Sequence, residues 1–268
     1  MVIDFHTHVF PEEIAARTIR ALEKRSHAKA ASDGTLEGLR SSMKEDHIDY
    51  SVILPVVTKS SQFESINKYA AQINNTDGIL SFGGIHPEND SIPEKLSYIK
   101  SLGLKGIKLH PDYQNTYIDN ENYIKIIKEC LNLNLCTVIH AGLDIGLPAP
   151  IHCPPDRAYI MLQKVLADCN KDSKIVLAHV GGHLQWRLVE ELLVGQNVYF
   201  DLSYSMHFMD KNTLVRIIEN HGSDRILFAT DSPWSSQRES VELVQSLPLG
   251  NDDLDNILYK NAMRLLNM

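Results

Sequence analysis

The sequence predicts a (β/α)8 barrel formed as a single domain over residues 1–268. Three observations carry that expectation. Short Val/Ile/Leu runs, apolar on successive residues, alternate with helix-period segments along the chain, as strands buried on both faces of a parallel sheet do. Eight such runs occur within 268 residues, close to the ~250 typical of this barrel. The first strand also leads into Phe5-His-Thr-His8, and neither GxGxxG nor GxxxxGK[ST] occurs anywhere, which argues against an open nucleotide-binding sheet.

In order, the expected strands are Val2–His6, Ser51–Pro55, Leu80–Ile85, Gly106–Leu109, Cys136–Ile139, Lys174–Ala178, Val198–Leu202 and Ile226–Ala229. The first helix is expected over Glu12–Lys24, with Pro11 as its starting residue and Ile14, Thr18, Ile19 and Leu22 on one face. Ser91-Ile-Pro93-Glu94 reads as a helix entry, with Glu94 three residues after a serine cap. Asn122–Leu131 repeats Ile124, Ile127 and Leu131, and Pro155–Cys169 repeats Tyr159, Leu162, Leu166 and Cys169. Trp186–Val194, Lys211–Asn220, Ser236–Leu247 and Asp252–Leu266 continue the alternation to the end.

Composition narrows the partners. With 34 acidic against 26 basic side chains the net charge is −8, and no Lys/Arg cluster offers a footprint for nucleic acid or an anionic membrane. No apolar run reaches the ~20 residues of a membrane span, and MVIDFHTHVF is too short and too polar for a signal peptide. Cys130, Cys136, Cys153 and Cys169 lack CxxC spacing, so reduced thiols and a cytoplasmic location are expected. Short connections favour a small-molecule substrate. A homo-oligomer is left open.

The chain has twelve histidines, and several stand where strands stop. His6 and His8 follow the first strand, His86 the third, Lys108 and His110 the fourth, His140 the fifth, His179 the sixth and Asp231 the eighth. In a barrel all C-terminal strand ends meet at one mouth, so residues far apart in sequence become neighbours there. The two-residue period of a strand puts His6 and His8 on one side, where two imidazoles can share an ion ~2.0–2.1 Å from each nitrogen. A carboxylate beside neutral imidazoles suits Zn2+ or Mn2+, which makes Asp231 a metal-linked residue rather than a plain turn aspartate.

These residues carry a resemblance. His6-Thr-His8, His140, His179 and Asp231, together with Gly106-Ile-Lys-Leu-His-Pro111, Ala178-His-Val-Gly-Gly182, Thr230-Asp-Ser-Pro-Trp234 and Tyr259-Lys-Asn-Ala-Met-Arg-Leu-Leu266, resemble the amidohydrolase superfamily in its amidohydrolase-related branch. That branch includes metal-dependent hydrolases and non-oxidative decarboxylases related to aminocarboxymuconate-semialdehyde decarboxylase. The resemblance implies that His6, His8, His140 and Asp231 hold one divalent ion, with Zn2+ expected before Mn2+. It leaves His179 and Asp231 as catalytic residues. TatD-type nucleases fit less well, because they supply a strand-four glutamate where this chain has Lys108 and His110.

A carbamylated Lys108 bridging a second ion, as in phosphotriesterase-like enzymes, is the minor reading. Binding an anionic substrate group or pairing with Asp112 is favoured for this lysine. Lys108, His110, His86 and His152 are expected to contact substrate, and Phe63, Tyr113, Tyr204 and Trp234 could wall a pocket. His183 is close enough to the sixth strand to line the pocket, whereas His27, His47, His207 and His221 are assigned to surface or packing. Cys153 is not expected to be a nucleophile. The leading reaction is hydrolysis through a metal-activated water, and the alternative is decarboxylation of a small carboxylic acid.

Overall fold

The structure, a computed structural model, describes residues 1–147, 150–167 and 173–268. Its strands are β1 (Ile3–Thr7), β2 (Tyr50–Ile53), β3 (Ile79–Ser81), β4 (Gly83–Gly84), β5 (Gly106–Leu109), β6 (Cys136–Ile139), β7 (Ile175–Leu177), β8 (Tyr199–Asp201) and β9 (Ile226–Leu227). All sheet neighbours are parallel, in the order β1-β2-β3 and β4 through β9. β3 and β4 are one stave interrupted at Phe82, whose amide still donates to the Ile53 carbonyl at 2.9 Å. The ring closes through Phe5 N to Phe228 O (3.0 Å), Asp231 N to His6 O (2.8 Å) and His8 N to Ser232 O (2.6 Å). The expected barrel is therefore the observed one.

Strand alternation divides the apolar residues between two cores. Ile3, Phe5, Val52, Leu54, Leu80, Phe82, Val138, Val176, Leu227 and Ala229 form one cluster inside the ring. Their sequence neighbours Ile53, Ile79, Ile107, Ile139, Ile175, Leu177, Phe200 and Phe228 face outward beneath the helices. Inside, Phe5 and Phe82 meet edge to face at 5.8 Å. Gly106 makes room for that pair, because a Cβ there would lie 2.4 Å from the Phe82 ring. Asp4 points the other way and fastens the seam, accepting from Thr230 N (2.9 Å), Thr230 Oγ1 (2.6 Å) and Gln237 Nε2 (2.8 Å).

The connection from β1 to β2 holds two helices, α1 (Glu12–Ser26) and α2 (Leu36–Glu45). The outer layer continues with α3 (Phe63–Ile73), α4 (Ile92–Ser101), α5 (Glu121–Asn132), α6 (Pro155–Leu166), α7 (Trp186–Leu192), α8 (Lys211–His221), α9 (Gln237–Gln245), α10 (Asn251–Asp255) and α11 (Asn261–Leu266). Two of these helices, α2 and α3, are absent from the sequence expectation. In the barrel's outer layer α2 takes the place that α1 was expected to fill. Leu39 and Met43 of α2 join the outer core, and Thr35 caps the helix by accepting from Gly38 N at 2.9 Å. α1 buries only Ala15 and Ile19, and its other apolar face turns to the mouth. Asn256–Lys260 is one π-helical turn that joins α10 to α11, where a single closing helix was expected.

Cys130, Cys136 and Cys153 are buried free thiols, whereas Cys169 and the end of the helix expected to reach it lie outside the described residues. No helix among the described residues is long and apolar enough to cross a membrane.

His221 closes the packing under α8. Its ring stacks on Phe200 at 4.0 Å, Nε2 donates to the Val198 carbonyl (2.8 Å) and Nδ1 accepts from Gly195 N (3.1 Å). Both nitrogens are satisfied in the neutral ring, and burial, reinforced by Arg225, pushes the pKa down from 6.5 to about 4. The unfolded chain thus binds this proton more readily, so stability falls as pH drops from 6.5 towards 4. By pH 5 this residue accounts for a loss of about 2 kcal/mol. Urea unfolding of wild type and His221→Phe at pH 7 and pH 5 measures it. The variant should lose about 2 kcal/mol less between the two pH values. An identical pH dependence contradicts the assignment.

Candidate metal centre and active site

The period that builds the inner core also carries polar residues to its rim. Gly106 is followed inward by Lys108 and His110, Val138 by His140, Tyr199 by Asp201 and Ser203, and Ala229 by Asp231. On β1 a bulge between Asp4 and Thr7 shifts the register against β2, so outward Asp4 is followed by both Phe5 and His6 on the inside. The side-by-side placement of His6 and His8 expected from an unbroken strand is thus reached with the help of this irregularity. The turns above the rim are strained. His179 (φ 62°), Val180 (φ 55°) and Asp231 (φ 68°) all occupy left-handed conformations, and for β-branched Val180 this is costly.

Three lone pairs converge at the mouth. His6 directs Nδ1 to Asp201 Oδ2 at 2.9 Å, and His8 directs Nδ1 to the Leu54 carbonyl at 2.8 Å. Both partners are acceptors, so the ring protons sit on Nδ1 and both Nε2 atoms are lone pairs. Those Nε2 atoms lie 3.1 Å apart, and Asp231 Oδ1 stands 3.1 Å from that of His8 and 3.4 Å from that of His6. These are separations of ligands that each sit ~2.0–2.2 Å from one ion. Burial and the Lys108 ammonium push the His6 pKa down to about 3, keeping the imidazole neutral as a ligand must be. The donor set therefore fits a divalent cation.

Asp201 is the residue that orients this set. It is fully buried, and its other oxygen accepts from His179 N (2.9 Å), Ser203 N (3.1 Å) and the Ser203 hydroxyl. Burial opposes its ionisation, but the contacts with His6 and Ser203 hold its carboxyl below the usual carboxylate range. Sequence reasoning passed over Asp201, although a carboxylate at the top of Val198–Leu202, in register with the other strand ends, is a readable signal.

Lys108 lies on the floor of the same cavity, its Nζ 3.0 Å from His6 Nε2. Burial brings its pKa down to about 8, against the pull of Asp201 and Asp231. Asp112, its expected partner, is engaged elsewhere: Oδ1 accepts from His152 N at 2.9 Å and meets His152 Nδ1 at 3.0 Å.

His140 is not part of the converging trio. Its Nδ1 lies 2.9 Å from His179 Nε2, its ring stacks on His110 at 4.1 Å, and its Nε2 faces Asp112 Oδ2 at 3.8 Å. His110, His140 and Asp144 form a second grouping able to hold a cation. His179 is backed at Nδ1 by the Ser203 hydroxyl (2.9 Å) and carbonyl (3.2 Å).

His6, His8, Lys108, His110, His140, His179 and Asp231 all line one cavity of about 600 Å³, with His183, Tyr113, Tyr204, Trp234 and Asp144. His86 and His152 do not line it. His86 accepts from Glu88 N (3.1 Å) within its own turn, and His152 is held back on Asp112. Phe63 is buried in the outer core. His207 bonds Ser240 Oγ at 2.9 Å, while His27 and His47 are exposed.

A family model described as Amidohydrolase matches residues 3–268. No curated protein matches the chain. Among solved structures, 5-carboxyvanillate decarboxylase from Sphingomonas paucimobilis aligns with a TM-score of 0.71 at 16% identity, covering 100% of this chain and 99% of that one. 2,6-Dihydroxybenzoate decarboxylase from Rhizobium gives 0.69 at 16%, covering 99% and 98%. A dihydroxybenzoic acid decarboxylase from a Polaromonas species, with bound manganese and the inhibitor 2-nitroresorcinol, gives 0.68 at 15%, covering 99% and 96%. At these identities the likeness is one of fold.

If Asp201 sets the His6 tautomer, Asp201→Asn should weaken Mn2+ or Zn2+ binding about 10–100-fold while the fold is kept. Competition against a chelating dye reads the affinity. An unchanged affinity contradicts that orienting role for Asp201.

Proposed function

The chain belongs to the amidohydrolase family, and from that premise we propose that it is a metal-dependent decarboxylase of a carboxylic acid. The observation that carries this reading is Lys108, a buried ammonium 3.0 Å from His6 Nε2 and directly beside the convergent ligands. A cation site and a lysine side by side on a cavity floor suit a carboxylate. The full-length likeness to three acid decarboxylases supports the same choice.

In this reading His6, His8 and Asp231 hold the ion, and His140 acts from its pairing with His179. The ion when bound supplies Lewis acidity towards substrate oxygens. Lys108 binds and orients the carboxylate. As the carbon–carbon bond breaks, its electron pair stays on the substrate carbon and CO2 departs. That carbon then takes a proton. His179 supplies it, since its Nε2 shares a proton with His140 Nδ1 across 2.9 Å and its Nδ1 is backed by Ser203. Hydrolysis is the second reading, favoured by ionised Asp231 beside His6 and His8, where it can accept a proton from water.

Aromatic and dienoic carboxylates assayed with added Mn2+ or Zn2+ should release CO2, and chelation should abolish the release. His179→Ala should lower turnover about 10²–10⁴-fold with metal content unchanged. Ester or lactone cleavage with no CO2 from any acid would overturn the decarboxylase reading in favour of hydrolysis.

A further inference from the structure

The cavity extends well beyond the polar crown. Ile14, Thr18 and Leu22, spaced i, i+4 and i+8, put one stripe of α1 along it. Ile66 and Tyr69 of α3 line it as well, so residues of both helices face the same cavity. This arm is mainly apolar and its lining is not packed away. Ile14 remains 37% exposed, and Thr18, Leu22, Ile66 and Tyr69 are only half-buried. Leaving apolar side chains facing solvent around a concavity forgoes burial that a ligand could supply.

At about 600 Å³ the cavity sits mid-range among pockets that take drug-sized ligands, and it is continuous with the His6, Lys108 and Asp231 end. The two ends differ in character. One presents an ammonium beside convergent ligand atoms, the other mainly hydrocarbon, with Thr18, Gln62 and Ser65 among its polar members.

We propose that the substrate is a carboxylic acid with an extended apolar part, its carboxylate at Lys108 and its apolar part lying between α1 and α3. This rests on the acid-binding reading above, and α1, expected as a helix of the barrel's outer layer, gives its apolar stripe to the cavity wall instead. Thr18 and Ile66 are then specificity-determining residues, setting how long an apolar group the arm accepts.

The test is calorimetric titration of the Mn2+-loaded full chain with butyrate, hexanoate, octanoate and decanoate, and with alkylammonium ions of the same lengths. Carboxylate affinity should rise by up to about fourfold per methylene until the arm is filled. Thr18→Trp and Ile66→Trp, each placing an indole in the arm, should cut the decanoate-to-butyrate affinity ratio at least tenfold. Whichever variant keeps the wild-type melting temperature serves. Affinity that is flat with chain length in both series, or unchanged ratios in the variants, overturns the arm. A steep ladder shared by the alkylammonium series upholds the arm and overturns the acid-binding end. CO2 release from single-ring acids with a flat ladder upholds the reaction and overturns the arm.

Discussion

A carboxylate buried at the top of β8 fixes the chemistry of the whole mouth. Asp201 is fully buried, and it spends one oxygen on His6 Nδ1 and the other on the His179 and Ser203 backbone. The first contact sets which nitrogen of His6 carries the proton and so turns Nε2 inward as a lone pair. The second ties the strained His179 turn to the same anchor. His8, locked on the Leu54 carbonyl, and Asp231 then present two more electron-rich atoms to the same point. Three such atoms within 3.1–3.4 Å repel one another, and the Lys108 ammonium 3.0 Å from His6 Nε2, or a divalent cation among them, offsets that repulsion.

The barrel supplies this arrangement by continuing its own packing rule. The alternation that buries Val138, Tyr199 and Ala229 inside the ring brings His140, Asp201 and Asp231 to the rim two residues later. β1 departs from the rule, and its bulge delivers His6 inward after Asp4 has fastened the seam outside, while His179 reaches the cavity through the left-handed turn after β7. The apolar floor excludes water beneath the crown. That exclusion keeps His6, His110 and His140 neutral, the state in which an imidazole can ligate or share a proton.

The strands and Lys108, His110, His140 and Asp231 of the crown were legible in the sequence because they follow from a period of two read to its end, whereas His6 arrives by a bulge and His179 by a left-handed turn. His6, His8, Lys108, His110, His140, His179 and Asp231 all reach the cavity from strand ends. The helices α2 and α3 were harder to read. α2 carries Gly38 and two serines among its apolar positions, and α3 places buried Asn67 where a hydrophobic residue would mark the stripe. Asn67 is spent on the strands, donating to Gly84 O and accepting from Gly84 N. The role of α1 was not legible at all, since a stripe that lines a cavity has the same spacing as one that fills a core. His86 and His152 reached loops near strand ends, but their hydrogen bonds hold them in those loops. Asp201 is a lone acidic residue inside an apolar run, and its register with the other strand ends is the one signal that marks it.

Everything at the mouth turns on whether His6, His8 and Asp231 hold one divalent ion together. An anomalous difference map from crystals grown with Mn2+ or Zn2+ tests it most directly. The expected map has a peak bonded to Nε2 of both histidines and to the Asp231 carboxylate. A peak confined to His110, His140 and Asp144, or a loaded crystal with no peak at the barrel mouth, would contradict it.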